Sequence, residues 1–383
     1  MCLLLRRRRR NRARQYQRQL EEEEDLLSRP RSDYLLRRHV VPAIGAPAWR
    51  LAVQADNDRF AAYFLFTKPL FYRLLRHFEP VFDACLLRPE DFAQRPDDLR
   101  EARPGKRLWT AEQALLLTLR GLRSRFHHSD ACLLTGGTAA TVWRHRRLAL
   151  HSLYAVLRRW RPARIAVPAN DAAAEELSNR CKEFVRSTQG VELSACFIGA
   201  YDGTEMPIRR PRSQRLQEIF YNGRKHMHSV KTLILALFNG TIGYAVANVP
   251  GSRHDSYANQ LAPLENMLEH LHIRYKVVAD SGFASNRRVL RPARLEELTN
   301  VGNAQNRAAL QEASTVISAI RESSEWAINS LKKLFAQLGL LPSQDDLLRL
   351  TIIQCCLHLH NVRVREMEMG QVRRVYEYLE VLD

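Results

Sequence analysis

The sequence predicts an α/β protein with a helical N-terminal region and a C-terminal mixed sheet flanked by helices. Residues 55–165 carry apolar side chains at three- and four-residue spacing, which is typical of amphipathic helices. From Leu193 onward the chain has short apolar runs rich in β-branched and aromatic residues, which are typical of strands. With 383 residues, 45% of them hydrophobic, the chain is long enough for about two or three domains.

We divide the chain into a charged tail over residues 1–54, a helical domain over 55–168 and an α/β domain with C-terminal helices over 169–383. The tail contains an uninterrupted arginine run, Arg6–Arg10, and an acidic run, Glu21–Asp25. Because blocks of like charge rarely fold alone, we expect the tail to be partly disordered. The arginine run suits a nuclear localisation signal or a nucleic-acid contact, although it could equally be a solvated arm.

The helical domain has its elements in the order of a helix-turn-helix. Helical spacing over residues 60–75 is followed by a helix over Ala111–Leu122, for which Thr110 is a suitable N-cap. A short segment, Ser129–Leu134, and a glycine turn then lead to a longer helix over Ala139–Tyr154. A short helix, a turn and a basic helix in this order predict a DNA-contacting motif, with a plain helical scaffold as the alternative.

The last helix of this motif carries three arginines, Arg144, Arg146 and Arg147. Guanidinium groups on one helix suit phosphates or base edges in a major groove. We therefore predict that these three side chains contact DNA.

After a predicted helix over Asn170–Thr188, the chain changes to β-type sequence. Asn239-Gly240 predicts a two-residue hairpin turn, and Met206–Arg209 could continue the first strand into a hairpin. We predict the main strands at Cys196–Tyr201, Val230–Phe238, Thr241–Val249 and Ile273–Ala279, and later helices over residues 261–271, 315–338, 345–361 and 372–382.

Four acids stand in distinctive settings. Asp202 and Asp280 each follow an apolar run and shortly precede a glycine, so the chain could leave the sheet there and expose the carboxylate. Asp255 lies in a Gly-Ser-Arg-His-Asp-Ser loop, and Glu325 lies on a predicted helix. Each Asp could be only a turn residue. Together, carboxylates at strand ends suit a hard divalent cation such as Mg²⁺, which is usually held by one or two carboxylates, water and phosphate.

Cationic side chains flank these acids. Arg321 and Lys332 fall on the same helix face as Glu325, where they could bind phosphate; the alternative for Arg321 is an ordinary surface ion pair. His254 directly precedes Asp255 in the chain, and we predict that it contacts phosphate. Two further cations, Arg224 and Lys225, belong to a basic cluster just before a strand, and we predict phosphate contacts for them as well.

The composition indicates the chemical class of the binding partner. A net charge of +18 and a pI near 10.0 favour a polyanion, since Lys and Arg neutralise phosphates and release counterions. Seven irregularly spaced cysteines do not form a disulfide framework and fit a reducing compartment. The sequence has no apolar run of the ~18 residues needed to cross a membrane, and it has no glycine-rich loop that would cradle a nucleotide phosphate.

The region from about residue 195 to 362 resembles the DDE nuclease domain of Harbinger-type transposases and the domesticated nuclease derived from them. Each motif is weak alone, but their common order is specific. The motifs are Ala200-Tyr-Asp202-Gly-Thr, Tyr221-Asn-Gly-Arg-Lys-His-Met-His-Ser229, Pro250-Gly-Ser-Arg-His-Asp255-Ser, Asp280-Ser-Gly-Phe283, Arg321-x-x-x-Glu325 with Lys332, and Leu357-His-Leu-His-Asn361.

This resemblance implies an RNase H-like fold and metal-dependent hydrolysis of a DNA strand with Mg²⁺ or Mn²⁺. It implies that Asp202, Asp280 and Glu325 are catalytic and that all four acids contact metal. Either Asp255 or Asp280 could be the middle member of the triad. The resemblance also makes a Myb-like DNA-binding partner plausible; a homo-oligomer is possible and nuclear localisation is expected. A catalytically inactive descendant that acts as a DNA-binding or scaffold protein is the alternative.

Overall fold

The computed structural model describes residues 54–85, 109–124, 128–342 and 344–377, together with Arg50 and Ala52. The Arg6–Arg10 run and nearly all of the predicted tail lie outside the described residues. Among the helices that are described, none combines the length and apolar character needed to cross a membrane.

The N-terminal region is helical, as predicted. Thr110 caps its third helix through a capping box: the Thr110 hydroxyl accepts from the Gln113 amide at 3.3 Å, and the Gln113 side chain accepts from the Thr110 amide at 3.2 Å. The helical spacing over residues 60–75 belongs to two helices, because Leu65 has a left-handed φ of 78° and ends the first one. The helices are α1 (Asn57–Phe64), α2 (Lys68–Ala84), α3 (Ala111–Arg123), α4 (His128–Thr135) and α5 (Ala139–Leu157).

The predicted helix before the sheet is present as α6 (Asp171–Gln189). Asn170 caps its start by accepting from the Ala173 amide, and Gly190 ends it with a left-handed φ of 66°. The sheet that follows has β1 (Cys196–Pro207), β2 (Tyr221–Asn222), β3 (Met227–Leu237), β4 (Ile242–Pro250), β5 (Tyr275–Ala279) and β6 (Val289–Leu290), with α7 (Gln214–Phe220) between β1 and β2.

The sheet is mixed, and β1 lies at its centre. On one edge β1 pairs antiparallel with β3, which in turn pairs antiparallel with β4 and, at its start, with the short β2. On the other edge β1 pairs parallel with β5, and β5 pairs parallel with β6. The predicted mixed sheet flanked by helices is therefore confirmed.

Two local predictions about the strands are wrong. β1 does not end before Asp202 and turn into a hairpin; it continues to Pro207, because β3 pairs with it from Gly199 to Pro207. The turn between β3 and β4 is longer than two residues: the Leu237 amide donates to Thr241 O at 2.9 Å, which leaves residues 238–240 as the loop. Only Gly240 of these has a positive φ, 83°.

The helices after the sheet differ in length from the prediction. The helix expected over 261–271 is two short ones interrupted at Pro263, and the long helix starts eleven residues earlier than residue 315, after the Asn303 cap. The short elements α7, β2 and β6 and a short helix over Leu295–Thr299 are additions to the prediction. The helices are α8 (Asp255–Leu261), α9 (Leu264–Met267), α10 (Leu295–Thr299), α11 (Ala304–Leu334), α12 (Asp346–Glu366) and α13 (Gln371–Glu377).

The hydrophobic core is continuous across the predicted boundary at 168/169. Leu119 and Leu153 of the helical region belong to the same buried cluster as Ile208 and Ile234 of the sheet region and Leu357 of α12. The N-terminal helices therefore stabilise the sheet by burying apolar surface against it.

Asn361 ties α12 to β4 from inside this core. Its side chain is fully buried; it accepts from the Ile242 amide at 2.7 Å and donates to Ile242 O at 2.9 Å and to Arg164 O at 3.0 Å. A buried polar group in this position is stabilising only while all its partners are satisfied.

Replacing Asn361 with Ala should lower the free energy of unfolding by about 3 kcal/mol, because the Ile242 amide and two carbonyls lose their buried partner. Urea unfolding followed by circular dichroism measures this. Asn329→Ala, at an exposed position of α11, is the matched control and should change stability by less than about 0.5 kcal/mol. Equal effects of the two substitutions would contradict the role given to Asn361.

Candidate active site

Asp202 and Asp280 lie at the same level on neighbouring strands. Tyr201 of β1 and Ala279 of β5 are Cα partners in the parallel pair, and each Asp is the next residue along the chain. Parallel neighbours are about 4.8 Å apart, so the pairing places the two Asp residues side by side in the backbone. Asp202 is thus at the point where the parallel partner of β1 ends, although β1 itself continues.

Both acids follow residues that face α11. Ala200 is paired with Val278, and Val278 packs with Val316 and Ile320 of α11. Since side chains alternate along a strand, Asp202, two residues after Ala200, is on the α11 side of the sheet. The ion pair between Asp202 and Arg321 confirms this orientation.

Helix α11 brings Glu325 to Asp202 through Arg321. Arg321 Nη1 is 3.8 Å from Asp202 Oδ2 and 2.9 Å from Glu325 Oε1. The exposed fractions of the side chains are 18% for Asp202, 22% for Arg321 and 50% for Glu325, so the group opens to solvent on the Glu325 side. Asp202 Oδ1 also accepts from the Gly203 amide at 2.7 Å. The predicted surface ion pair of Arg321 and Glu325 is present, and it extends to a strand acid.

The loop that carries His254 and Asp255 reaches the same edge. A Cβ placed on Gly282 would be 3.6 Å from Asp280 Oδ2 and 3.7 Å from His254 Cε1, so Asp280 and His254 flank this glycine. Asp255 directly follows His254 as the first residue of α8, and its side chain lies outside the described part. Asp202, Asp280 and Glu325 thus lie near the end of β5, and the backbone segment that carries Asp255 lies there as well.

Buried polar residues hold this loop in place. The Lys231 ammonium donates to Arg253 O at 2.8 Å, and the Asn222 amide donates to Gly251 O at 3.1 Å. Gly251 packs so closely on Ser229 that a Cβ there would be 2.5 Å from Ser229 O. A larger residue at 251 would therefore push the loop away from Asp280.

Glu205, three residues after Asp202 on β1, is a buried acid that the sequence analysis did not single out. It is 5% exposed, its Oε1 accepts from the Asn222 amide at 2.6 Å, and its Oε2 is 3.3 Å from Lys225 Nζ. Its backbone carbonyl accepts from Lys332 Nζ at 2.9 Å. The sequence analysis missed Glu205 because it ended the first strand at Tyr201, whereas β1 continues through Glu205 to Pro207.

Three of the predicted phosphate-binding cations, Lys332, Arg224 and Lys225, differ in how exposed they are to solvent. Lys332 is partly buried against Glu205, and burial, with the charge of Lys225, lowers the pKa of its ammonium despite Glu205 and Asp202 nearby. Arg224 and Lys225 are exposed. Arg294 was not predicted; it donates to Ser281 O at 2.9 Å and fixes the turn that follows Asp280.

The arginines of the helix-turn-helix prediction are mostly engaged within the protein. Arg146 donates to Gly121 O at 3.1 Å and to Gln337 at 2.6 Å, and burial lowers its pKa to about 10. Arg147 is 2.8 Å from Asp345. Their placement argues against DNA contacts, because both guanidinium groups have partners in the C-terminal part of the chain, Gln337 and Asp345. Arg144 is exposed, and its DNA contact stays a prediction.

The acids fit a divalent cation in chemistry, although they do not form a closed cage. Among the side chains that the structure describes, no group of three His, Cys, Asp or Glu is close enough to hold a metal ion together. Asp202 and Glu325 nevertheless converge on a single cation, the Arg321 guanidinium. One or two carboxylates with water and phosphate are sufficient for Mg²⁺.

Residues 201–361 match the family model described as DDE superfamily endonuclease. This segment is similar to transposase-like nucleases. The match begins one residue before Asp202, contains Asp255, Asp280 and Glu325, and ends at Asn361. No curated protein and no solved structure matches the chain.

If Arg321 competes with metal, Arg321→Gln should tighten Mn²⁺ binding. Loss of a partly exposed ion pair of roughly 0.5–1 kcal/mol corresponds to a gain of about two- to fivefold in affinity. Calorimetric titration with Mn²⁺, in the absence of DNA, measures it. Lys333→Gln removes the same charge from an exposed position of α11 and should leave the affinity near the wild-type value. An unchanged or weaker affinity in Arg321→Gln would contradict competition at Asp202 and Glu325.

Proposed function

We propose that this protein is a divalent-metal-dependent DNA endonuclease of Harbinger-type transposase descent. One observation carries the proposal: parallel pairing of β1 with β5 puts Asp202 beside Asp280, and α11 brings Glu325 to Asp202. The match of residues 201–361 to DDE endonucleases supports the same conclusion. The order of the six resembling motifs supports the Harbinger type.

The fold we propose for residues 169–383 is RNase H-like. Three antiparallel strands, β4, β3 and β1, are followed on the other edge of β1 by two parallel strands, β5 and β6. The acids stand on the first strand and directly after the parallel strand beside it. On this basis Asp280 is the middle member of the triad, and Asp255 is an additional metal contact supplied by the neighbouring loop.

Mg²⁺ or Mn²⁺ would be held by Asp202 and Asp280, with Glu325 and Asp255 completing the set. When bound, such ions activate a water and stabilise the charge on the leaving oxygen. Arg321 would be displaced from Asp202 and Glu325 by a metal ion bound to these carboxylates. The Arg321 guanidinium would then be free to bind a phosphate oxygen of the DNA. His254 at this edge, and the exposed Arg224 and Lys225, would position the strand, and the partly buried Lys332 would add positive charge nearby.

The reaction is hydrolysis of one phosphodiester bond. The oxygen of water forms a bond to phosphorus, the bond from phosphorus to the 3′ oxygen breaks, and the water proton is released as the 3′ oxygen gains one. Glu325 is half exposed and can pass a proton to solvent. The products are a 3′-hydroxyl and a 5′-phosphate. In a complete transposase the 3′-hydroxyl would then attack a target strand.

The proposed partner is DNA, and the proposed compartment is the nucleus. The net charge of +18 supports a polyanionic partner. Because Arg146 and Arg147 are engaged within the protein, little of the predicted helix-turn-helix is available for base contacts. A separate Myb-like protein that supplies sequence recognition fits this arrangement, as does a homo-oligomer that gathers two DNA ends.

A plasmid-nicking assay with Mg²⁺ or Mn²⁺ tests the activity. The wild-type protein should nick supercoiled DNA, and Asp202→Asn and Glu325→Gln should each reduce the rate by more than about 100-fold, since losing a metal ligand costs more than losing a supporting residue. Glu312→Gln changes an exposed carboxylate of the same helix and should retain the wild-type rate. Full activity in Asp202→Asn would overturn the role assignment.

A DNA-binding protein without catalysis is the second candidate. It is favoured by the Arg321 ion pairs, which already neutralise Asp202 and Glu325. It predicts salt-dependent DNA binding and no nicking with either ion, in the wild-type protein and in Arg321→Gln alike, including after a Myb-like partner is added.

A further inference from the structure

A cavity of about 680 Å³ lies beside the start of β3, away from the four acids. Its size is within the usual range for small-ligand sites. It is formed by α7, the residues before it and the β2–β3 hairpin. The lining residues are Arg210, Gln214, Gln217, Glu218, Tyr221, His226 and His228.

The lining combines an exposed aromatic ring with cationic and amide groups and with one carboxylate, Glu218, which accepts from the Gln214 amide at 3.4 Å. Tyr221 is 42% exposed, and its ring centroid is 5.4 Å from that of His228 in an edge-on arrangement. Arg210 Nε donates to Gln217 Oε1 at 3.0 Å, and Gln217 in turn donates to Pro211 O at 2.8 Å. This chain of hydrogen bonds holds the Arg210 guanidinium at the cavity. An open ring beside a fixed guanidinium suits a base with its phosphate.

The cavity is connected to the acids by β1 and by exposed basic residues. Pro207 is the fifth residue after Asp202 on β1. Its Cα partner on β3 is Ser229, which is next to His228. At about 3.4 Å per residue the distance from Asp202 to Pro207 is roughly 17 Å, or about five base steps of a duplex. Lys225, whose side chain is 44% exposed, lies between them on Glu205, and Arg224 and His226 adjoin it. A DNA backbone could follow these cations from one site to the other.

We propose that this cavity binds an unpaired nucleotide of the DNA substrate a few positions from the bond that is cut. The base stacks on Tyr221, and Arg210 contacts its phosphate. A base can stack face to face on an aromatic side chain only after it leaves its stack in the duplex, so the site selects a frayed or single-stranded end. The inference rests on the proposed function, since it assumes that DNA lies across β1.

The test uses two DNA probes of equal length, with Ca²⁺ in place of Mg²⁺ to prevent cleavage. One is a blunt duplex, and the other carries a five-nucleotide single-stranded overhang with 2-aminopurine in place of one base. The wild-type protein should bind the overhang probe more tightly and should quench 2-aminopurine, which loses emission when it stacks. Tyr221→Ala should lose the quenching and about 5- to 150-fold of the affinity for the overhang, because one stacked base contributes about 1–3 kcal/mol.

Control variants separate stacking from loss of fold. Tyr221→Phe keeps the ring and should retain both the quenching and the preference. Tyr72→Ala, which removes an exposed ring of α2, should behave as the wild-type protein does. Blunt-duplex affinity should be the same in all variants. If the wild-type protein binds both probes equally without quenching, the cavity does not bind an unpaired nucleotide. The proposed nuclease function is not contradicted by that result. If it binds neither probe, the proposed function fails as well.

Discussion

The parallel pairing of β1 with β5 is the constraint on which the site depends. A slip of one residue in this register would turn every side chain of one strand to the opposite face. The register is fixed by apolar packing on both faces of the sheet: Tyr201 packs on Phe283 with ring centroids 5.1 Å apart, while Val278 packs on α11. Because these contacts are large and apolar, they can hold Asp202 and Asp280 side by side against their mutual repulsion.

Positive charge in the protein compensates the acids before any ligand is present. Arg321 bridges Asp202 and Glu325, and Lys225 neutralises the buried Glu205 three residues further along β1. Buried charges are tolerated only when they are paired in this way. The same cations are suited to phosphate, so DNA binding would exchange partners at the site and would not require charges to be buried anew.

Local sequence patterns predicted much of this architecture, but they could not predict which distant segments pair with each other. Thr110 was recognisable as a helix cap because capping needs only nearby residues. The sequence Asp202-Gly203 suggested a strand end, yet pairing with β3 carries the strand through it. Arg146 suggested a DNA contact, whereas its partner Gln337 is 191 residues away. The burial of Glu205 depends likewise on pairing with β3 and on contact with α11, which no local pattern specifies.

Iron-mediated cleavage of the protein would test most directly whether the acids hold a metal ion. Fe²⁺ replaces Mg²⁺, ascorbate and hydrogen peroxide generate radicals at the bound ion, and mass spectrometry locates the backbone cuts. A site at the end of β1 and β5 predicts cuts near residues 202, 280 and 325 that disappear in Asp202→Asn and with excess Mn²⁺. Cuts elsewhere in the chain that persist in Asp202→Asn would contradict a metal site at these acids.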